Sequence, residues 1–298
     1  MDLLSFLDQP GARLFARALL VCAFLGVSGG LLGCVLVVRR MTLMADALAH
    51  SLLPGVALAW LLFGANLAAM LAGGLLAGLA TALGSGLISR LTRLKEDTAF
   101  AGLFAGLFAC GLLIASRAGS PGDLQHLLFG QVLAVGPADL WLAAGVSVAT
   151  VATFALFYRN ILLECFDPQF HRAGGGWGMA VHFGLLALTV VGLVASLHVL
   201  GVVLALGLFT LPAATAYLWC DRWGSMLLFS MTDAVAGCVL GFALSWWAGL
   251  PSGACMVATL GVMFVASALI SPHHGLLARL RRPHRHQRED TDAECPRH

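Results

Sequence analysis

Residues 179–219 read MAVHFGLLALTVVGLVASLHVLGVVLALGLFTLPAATAYLW, a run without one charged side chain. A membrane-crossing helix uses about 20 apolar residues, so this stretch is long enough to cross twice. Its weakest point lies at His198 to Gly201, where a histidine and a glycine interrupt the aliphatic sequence. Read as two helices, the run brings the chain to nine spans. Read as one tilted or broken element, it leaves eight, and a re-entrant pair within 179–219 is the intermediate case. In every case the fold class is all-α, a polytopic bundle of eight to nine transmembrane helices.

Outward from this run, apolar stretches recur at 14–38, 43–63, 66–91, 97–116, 137–157, 224–248 and 252–271. Of 298 residues, 59% are hydrophobic and only 11% charged, and the mean hydropathy is +0.90. Soluble domains carry about 25% charged residues. That excludes a soluble enzyme, a disordered chain and a nucleic-acid binder. No cleavable leader is expected, because the first apolar run lacks a small-residue cleavage site and leads into further spans. The eight cysteines show no CxxC pair, and most sit in apolar runs, where cysteine acts as a small hydrophobe.

Charge placement favours nine crossings. With the N-terminus outside, Arg39, Arg40, Arg90, Arg93, Lys95, Arg159, Arg172, Arg222 and six arginines of the tail fall on the cytosolic side. That is 14 of the 17 basic residues, with Arg13, Arg17 and Arg117 outside. Arg172 and Arg222 can share a side only if 179–219 crosses twice or re-enters.

Two segments differ from short loops. Residues 158–178, YRNILLECFDPQFHRAGGGWG, read as an amphipathic cytosolic helix ending at Gly174–Gly176. Residues 272–298 form a His/Arg-rich polar tail, expected to be disordered in the cytosol. Glycines four apart (Gly26/Gly30, Gly29/Gly33, Gly74/Gly78, Gly102/Gly106, Gly237/Gly241) predict close helix packing within the bundle.

The chemistry-bearing residues are few. Asp46 and His50 in RRMTLMADALAHSLLPGVALA lie four apart, on one helix face. A carboxylate and an imidazole suit a borderline divalent ion such as zinc, manganese or iron. The opposing reading places both near the membrane surface, with Asp46 serving a helix N-terminus. Asp233 is an intramembrane acid, read either as part of an ion pathway or, preferably, as a hydrogen-bonding partner of a neighbouring helix. Asp139, after Pro137, reads as a helix start. Asp123 and His126 fall in the external 117–126 loop, where they either meet an incoming cation or simply solvate the loop. His182 and His198 read as interfacial. The tail histidines 273, 274, 284, 286 and 298 could bind metal weakly, though a solvated positive tail is the preferred reading.

No GxxxxGK[ST] loop surrounds Lys95, the single lysine, so ATP hydrolysis must come from another chain if transport uses it. HExxH is absent as well. Gly26–Gly30 spells GxSxG, which keeps an intramembrane serine protease with Ser28 and His182 or His198 as the enzyme-class alternative.

RRMTLMADALAHSLLPGVALA resembles the second-helix motif of membrane permeases from zinc/manganese/iron ABC importers. KEDTAFAGLFAGLFACGLLIAS, DLQHLLFGQVLAV, LLECFDPQF, GVVLALGLFTLPAATA and LPSGACMVATLGVMFVASALISP match further blocks of that family in order. The resemblance covers roughly 14–272, and identifies 1–271 as a permease domain. It implies a permease subunit in the bacterial inner membrane, working by alternating access without covalent chemistry. Expected partners are cytosolic ABC ATPase subunits, an extracytoplasmic metal-binding protein and a second permease copy or paralogue. The metal ion is cargo, and no permanently bound cofactor is implied. Asp46 and His50 match the family's candidate metal ligands. The stretch holding Glu164, Phe166, Asp167, Pro168 and Phe170 matches its ATPase-contacting loop. A self-powered secondary metal transporter is the other transport-class alternative.

Overall fold

The break in the long apolar run falls at Gly201, whose φ of 80° is left-handed backbone that a side chain would strain. The computed structural model describes residues 10–64, 66–118, 135–167, 170 and 178–271. The helices are α1 (Pro10–Val38), α2 (Thr42–Ser51), α3 (Leu53–Phe63), α4 (Leu67–Leu91), α5 (Glu96–Ala118), α6 (Pro137–Phe166), α7 (Gly178–Leu200), α8 (Val202–Trp219), α9 (Trp223–Ala248) and α10 (Ser252–Ile270). No strand occurs among the described residues. Around Gly201 the chain reverses. A continuous helix would hold residues 192 and 209 about 25 Å apart. Instead the Phe209 ring lies 3.3 Å from where a Cβ on Gly192 would stand. The run therefore folds back on itself as two spans.

Among the described residues, eight helical stretches are long and apolar enough to cross a membrane, with α2 and α3 counted as one. α5 adds a 23-residue helix with a shorter apolar stretch. Together they match the eight-to-nine-span expectation.

α1 occupies the centre and packs on α6, α8 and α9. Its small residues permit this: Gly26 and Gly30 meet Ala234 and Ser230 of α9, while Gly29 and Gly33 meet Phe209 of α8. Gly237 and Gly241 similarly seat Leu260 and Met256 of α10. A second group is formed by α3 against α4 and α5, with Gly55 and Gly73 bringing two backbones together. Gly102 and Gly106 depart from the packing expectation. Nothing lies within 4 Å of a Cβ at either position, because they are on the outward side of α5.

Helix ends gather at two levels. Arg39, Arg90, Glu164, His182 and Trp223 are linked through contacts at one end of the bundle. At the opposite end, His198 Nε2 is 3.3 Å from Asp139 Oδ1. The other Asp139 oxygen accepts the Gly136 N–H at 2.8 Å, so this acid does open α6. The 272–298 tail lies outside the described residues.

Of the amphipathic helix expected over 158–178, the end at Gly174–Gly176 lies outside the described residues. Residues 158–166 prolong α6 beyond non-helical backbone at Phe157. The helix stops at Asp167, whose Oδ1 accepts the Phe170 N–H at 2.9 Å. An aspartate followed by proline is a stop-and-restart signature, so Phe166 and Phe170 do not share one continuous helix.

Candidate metal pathway and ATPase-facing end

α2 buries Met44, Ala45, Leu48 and Ala49, which fixes the rotation of Asp46 and His50 toward the other side. His50 Nε2 stands 3.9 Å from Asp46 Oδ1, beyond hydrogen-bond length. One ion with bonds of about 2.1 Å to each can bridge such a gap. The His50 ring also packs near Phe104 and Phe108 of α5, with centroids 6.5 and 6.1 Å away.

These phenylalanines place the pair along the bundle. They lie eight and twelve residues beyond Glu96, the start of α5, or roughly 12–18 Å along the helix. Half of a hydrocarbon core is about 15 Å thick. Leu52, two residues beyond His50, packs against Gly78 in the middle of α4. Asp46 does not serve a helix start: α2 has no side-chain cap and no acid in its first turn.

Even so, the Asp46 side chain is 61% exposed and that of His50 36% exposed in the single chain. Facing an ionised aspartate to lipid at the bilayer centre costs about 2.5–3.5 kcal/mol or more. The exposed side of α2 therefore suits a polar passage or a covered interface. Pro54, lacking an N–H, leaves the carbonyl of His50 without its usual helical donor four residues on. The α2–α3 break thus falls beside the pair, and interrupted helices at membrane depth are tolerated where they line a cavity.

The remaining candidates separate. Asp233 is buried in α9, its Oδ2 has no hydrogen-bond partner among the described residues, and Thr215 is beside its carboxyl. α9 packs on α1, α8 and α10, away from the exposed side of α2. Asp123, His126 and Pro168 lie outside the described residues. Ser28 is fully buried, and its hydroxyl donates to Leu25 O of its own helix at 3.0 Å. His182 and His198 are engaged elsewhere, so nothing supports the protease alternative.

Glu164, expected in an ATPase-contacting loop, points inward. Its side chain is fully buried on the inner side of the last turn of α6, 3.6 Å from His182 Nδ1. Phe166 and Phe170 do face outward, at 62% and 64% exposure. The Phe166 ring meets Trp223 edge-on at 5.8 Å, fixing its base. Two features were passed over in the sequence. Arg39 was counted only as a loop charge, and His182 as an interfacial residue or a protease base, yet both surround Glu164. Phe104 and Phe108, four apart in the repeated GLFAGLFA, carried a same-face signal beside His50.

The sequence matches the ABC 3 transport family over residues 12–271. The chain belongs to that family. Among its relatives, the manganese transport system membrane protein MntC of Halalkalibacterium halodurans is 36% identical over 280 residues, covering 93% of this chain and 94% of the relative. The chelated iron transport system membrane protein YfeD of Yersinia pestis is 33% identical over 273 residues, covering 91% and 90%. A solved structure, PsaBC from Streptococcus pneumoniae in complex with Fab, superposes with a TM-score of 0.78. It is 30% identical and covers 94% of this chain and 100% of that chain. Family membership makes this chain a multi-pass transport permease, and no comparison supports a protease or a self-powered transporter.

Proposed function

We propose that this chain is the membrane permease of an ATP-driven importer of a divalent transition metal, with Asp46 and His50 as ligands in its passage. The observation carrying this is a carboxylate–imidazole pair, 3.9 Å apart, that the single chain leaves exposed. The names of the relatives favour manganese or iron as cargo; Asp/His ligation alone also suits zinc. A second copy facing α2 would shield the pair from lipid. Two such pairs would supply four ligands, close to a complete shell. The ion is cargo, released after each cycle, and no resident cofactor is needed.

ATP is hydrolysed by a separate cytosolic ATPase that docks on Phe166 and Phe170. A binding protein outside the membrane delivers the ion. Closure of the ATPases rocks the helices, and the different affinities of the two states for metal and nucleotide couple the steps. The membrane is the bacterial cytoplasmic membrane, with the N-terminus outside and the C-terminus in the cytosol. Total cell metal in starved medium, with and without this chain, tests the reading. Manganese or iron should fall on its loss; unchanged content of manganese, iron and zinc would overturn it.

A further inference from the structure

Three residues distant in sequence meet at the end of the bundle where α1 stops and the α6–α7 connection begins. Arg39 Nη2 is 2.9 Å from His182 Nδ1 and 4.0 Å from Glu164 Oε1. The Glu164 and His182 side chains are 0% and 2% exposed. A guanidinium can only donate, so the His182 Nδ1 accepts, and its proton resides on Nε2. Arg39 is thus the hub between two acceptors.

The positions of the three give the hub its meaning. Glu164 is in the last turn of α6 and His182 in the first turns of α7, so they are the two stems of the proposed ATPase-facing connection. Arg39 belongs to neither stem. It begins the corner joining α1 to α2. That corner has little slack: Arg40 N–H donates to Val37 O at 3.0 Å, Met41 N–H to Leu36 O at 2.7 Å, and Met44 N–H to Met41 O at 3.0 Å. Arg40 adopts left-handed backbone, φ 58°, to close it. Asp46 follows one turn into α2. On the other side, His182 stacks edge-on against Phe183 at 5.3 Å, and Arg90 of α4 lies 5.0 Å over the Phe183 ring.

We infer that Arg39, Glu164 and His182 are positioning residues that transmit movement of the α6–α7 stems to α2 and its Asp46–His50 pair. The inference rests on the proposed metal site and ATPase contact. A shift of either stem pulls on Arg39 through a buried, charge-assisted contact, and the bonded corner passes it to α2. The hub sets how many ions move per ATP, without binding metal or ATPase itself.

The test uses the assembled importer in proteoliposomes, reading manganese uptake and ATP hydrolysis together. Lysine keeps the charge but lacks the planar guanidinium whose Nη2 lies between the His182 and Glu164 side chains. Arg39→Lys and Glu164→Gln should lower uptake per ATP hydrolysed about fivefold or more, the lower range of allosteric coupling. ATPase co-purification and hydrolysis should persist in both. His182→Gln, which keeps an acceptor, should stay within about twofold of wild type, whereas His182→Phe should fall with the others. Uptake per ATP unchanged in Arg39→Lys and Glu164→Gln would overturn the inference. Loss of assembly in every variant would also overturn it, showing a structural cluster instead. Wild-type importer without ATP-driven manganese, iron or zinc uptake would refute the underlying function, a separate outcome.

Discussion

The 3.9 Å spacing of Asp46 and His50 leaves room for a shared ion. If both hold the ion, removing either leaves an incomplete shell, and removing the second adds little, since contacting residues are non-additive. Asp46→Ala, His50→Ala and the double variant should each lose at least about 90% of uptake per folded protein, a loss of about 1.4 kcal/mol in effective affinity. Expression and ATPase association should be unchanged. Radiometal uptake normalised to folded protein measures this. Near-normal uptake in His50→Ala would remove the metal-site assignment while leaving the family intact.

At the scale of elements, Gly201 and the α6 terminus make opposite demands. Gly201 needs a left-handed φ to reverse the chain in a single residue. Gly201→Ala should cost about 1–2 kcal/mol and lower the melting temperature in detergent. An unchanged melt would mean the reversal does not depend on that backbone. The α6 terminus instead presents side chains: Phe166 and Phe170 are exposed on either side of the Asp167 turn. Replacing both by alanine should weaken ATPase co-purification tenfold or more, about 1.4 kcal/mol, with insertion intact. Wild-type co-purification would exclude this docking point. These elements also mark the limit of what sequence shows. The Gly201 break was legible because a glycine interrupts a run too long for one crossing. The Asp46–His50 pair was legible from helical periodicity and motif. Its place along the bundle was not, because that comes from Phe104, Phe108 and Gly78 on other helices. Glu164 looked like a loop acid because its partners, Arg39 and His182, are remote in sequence. Gly102 and Gly106 repeated a packing motif that meets no partner among the described residues.

For the whole molecule, the reversal at Gly201 brings the basic segments to one end. Arg39 and Arg40 close α1, Arg90 ends α4, Arg93 and Lys95 join α4 to α5, and Arg222 precedes α9. The turns at Gly64, Gly201 and Gly249–Pro251, at the opposite ends of their helices, carry no lysine or arginine among the described residues. Positive loops remain in the cytosol during insertion, so the Arg39 end should be cytosolic. Leu94 and Leu250 are exposed markers of the two ends, at 48% and 55%. In a variant lacking the eight native cysteines, Leu250→Cys should react with an impermeant thiol reagent in sealed cells. Leu94→Cys should react only after permeabilisation. Labelling of Leu94→Cys from outside would invert the molecule and place the buried Arg39 hub, with Phe166 and Phe170, on the side that ATP does not reach.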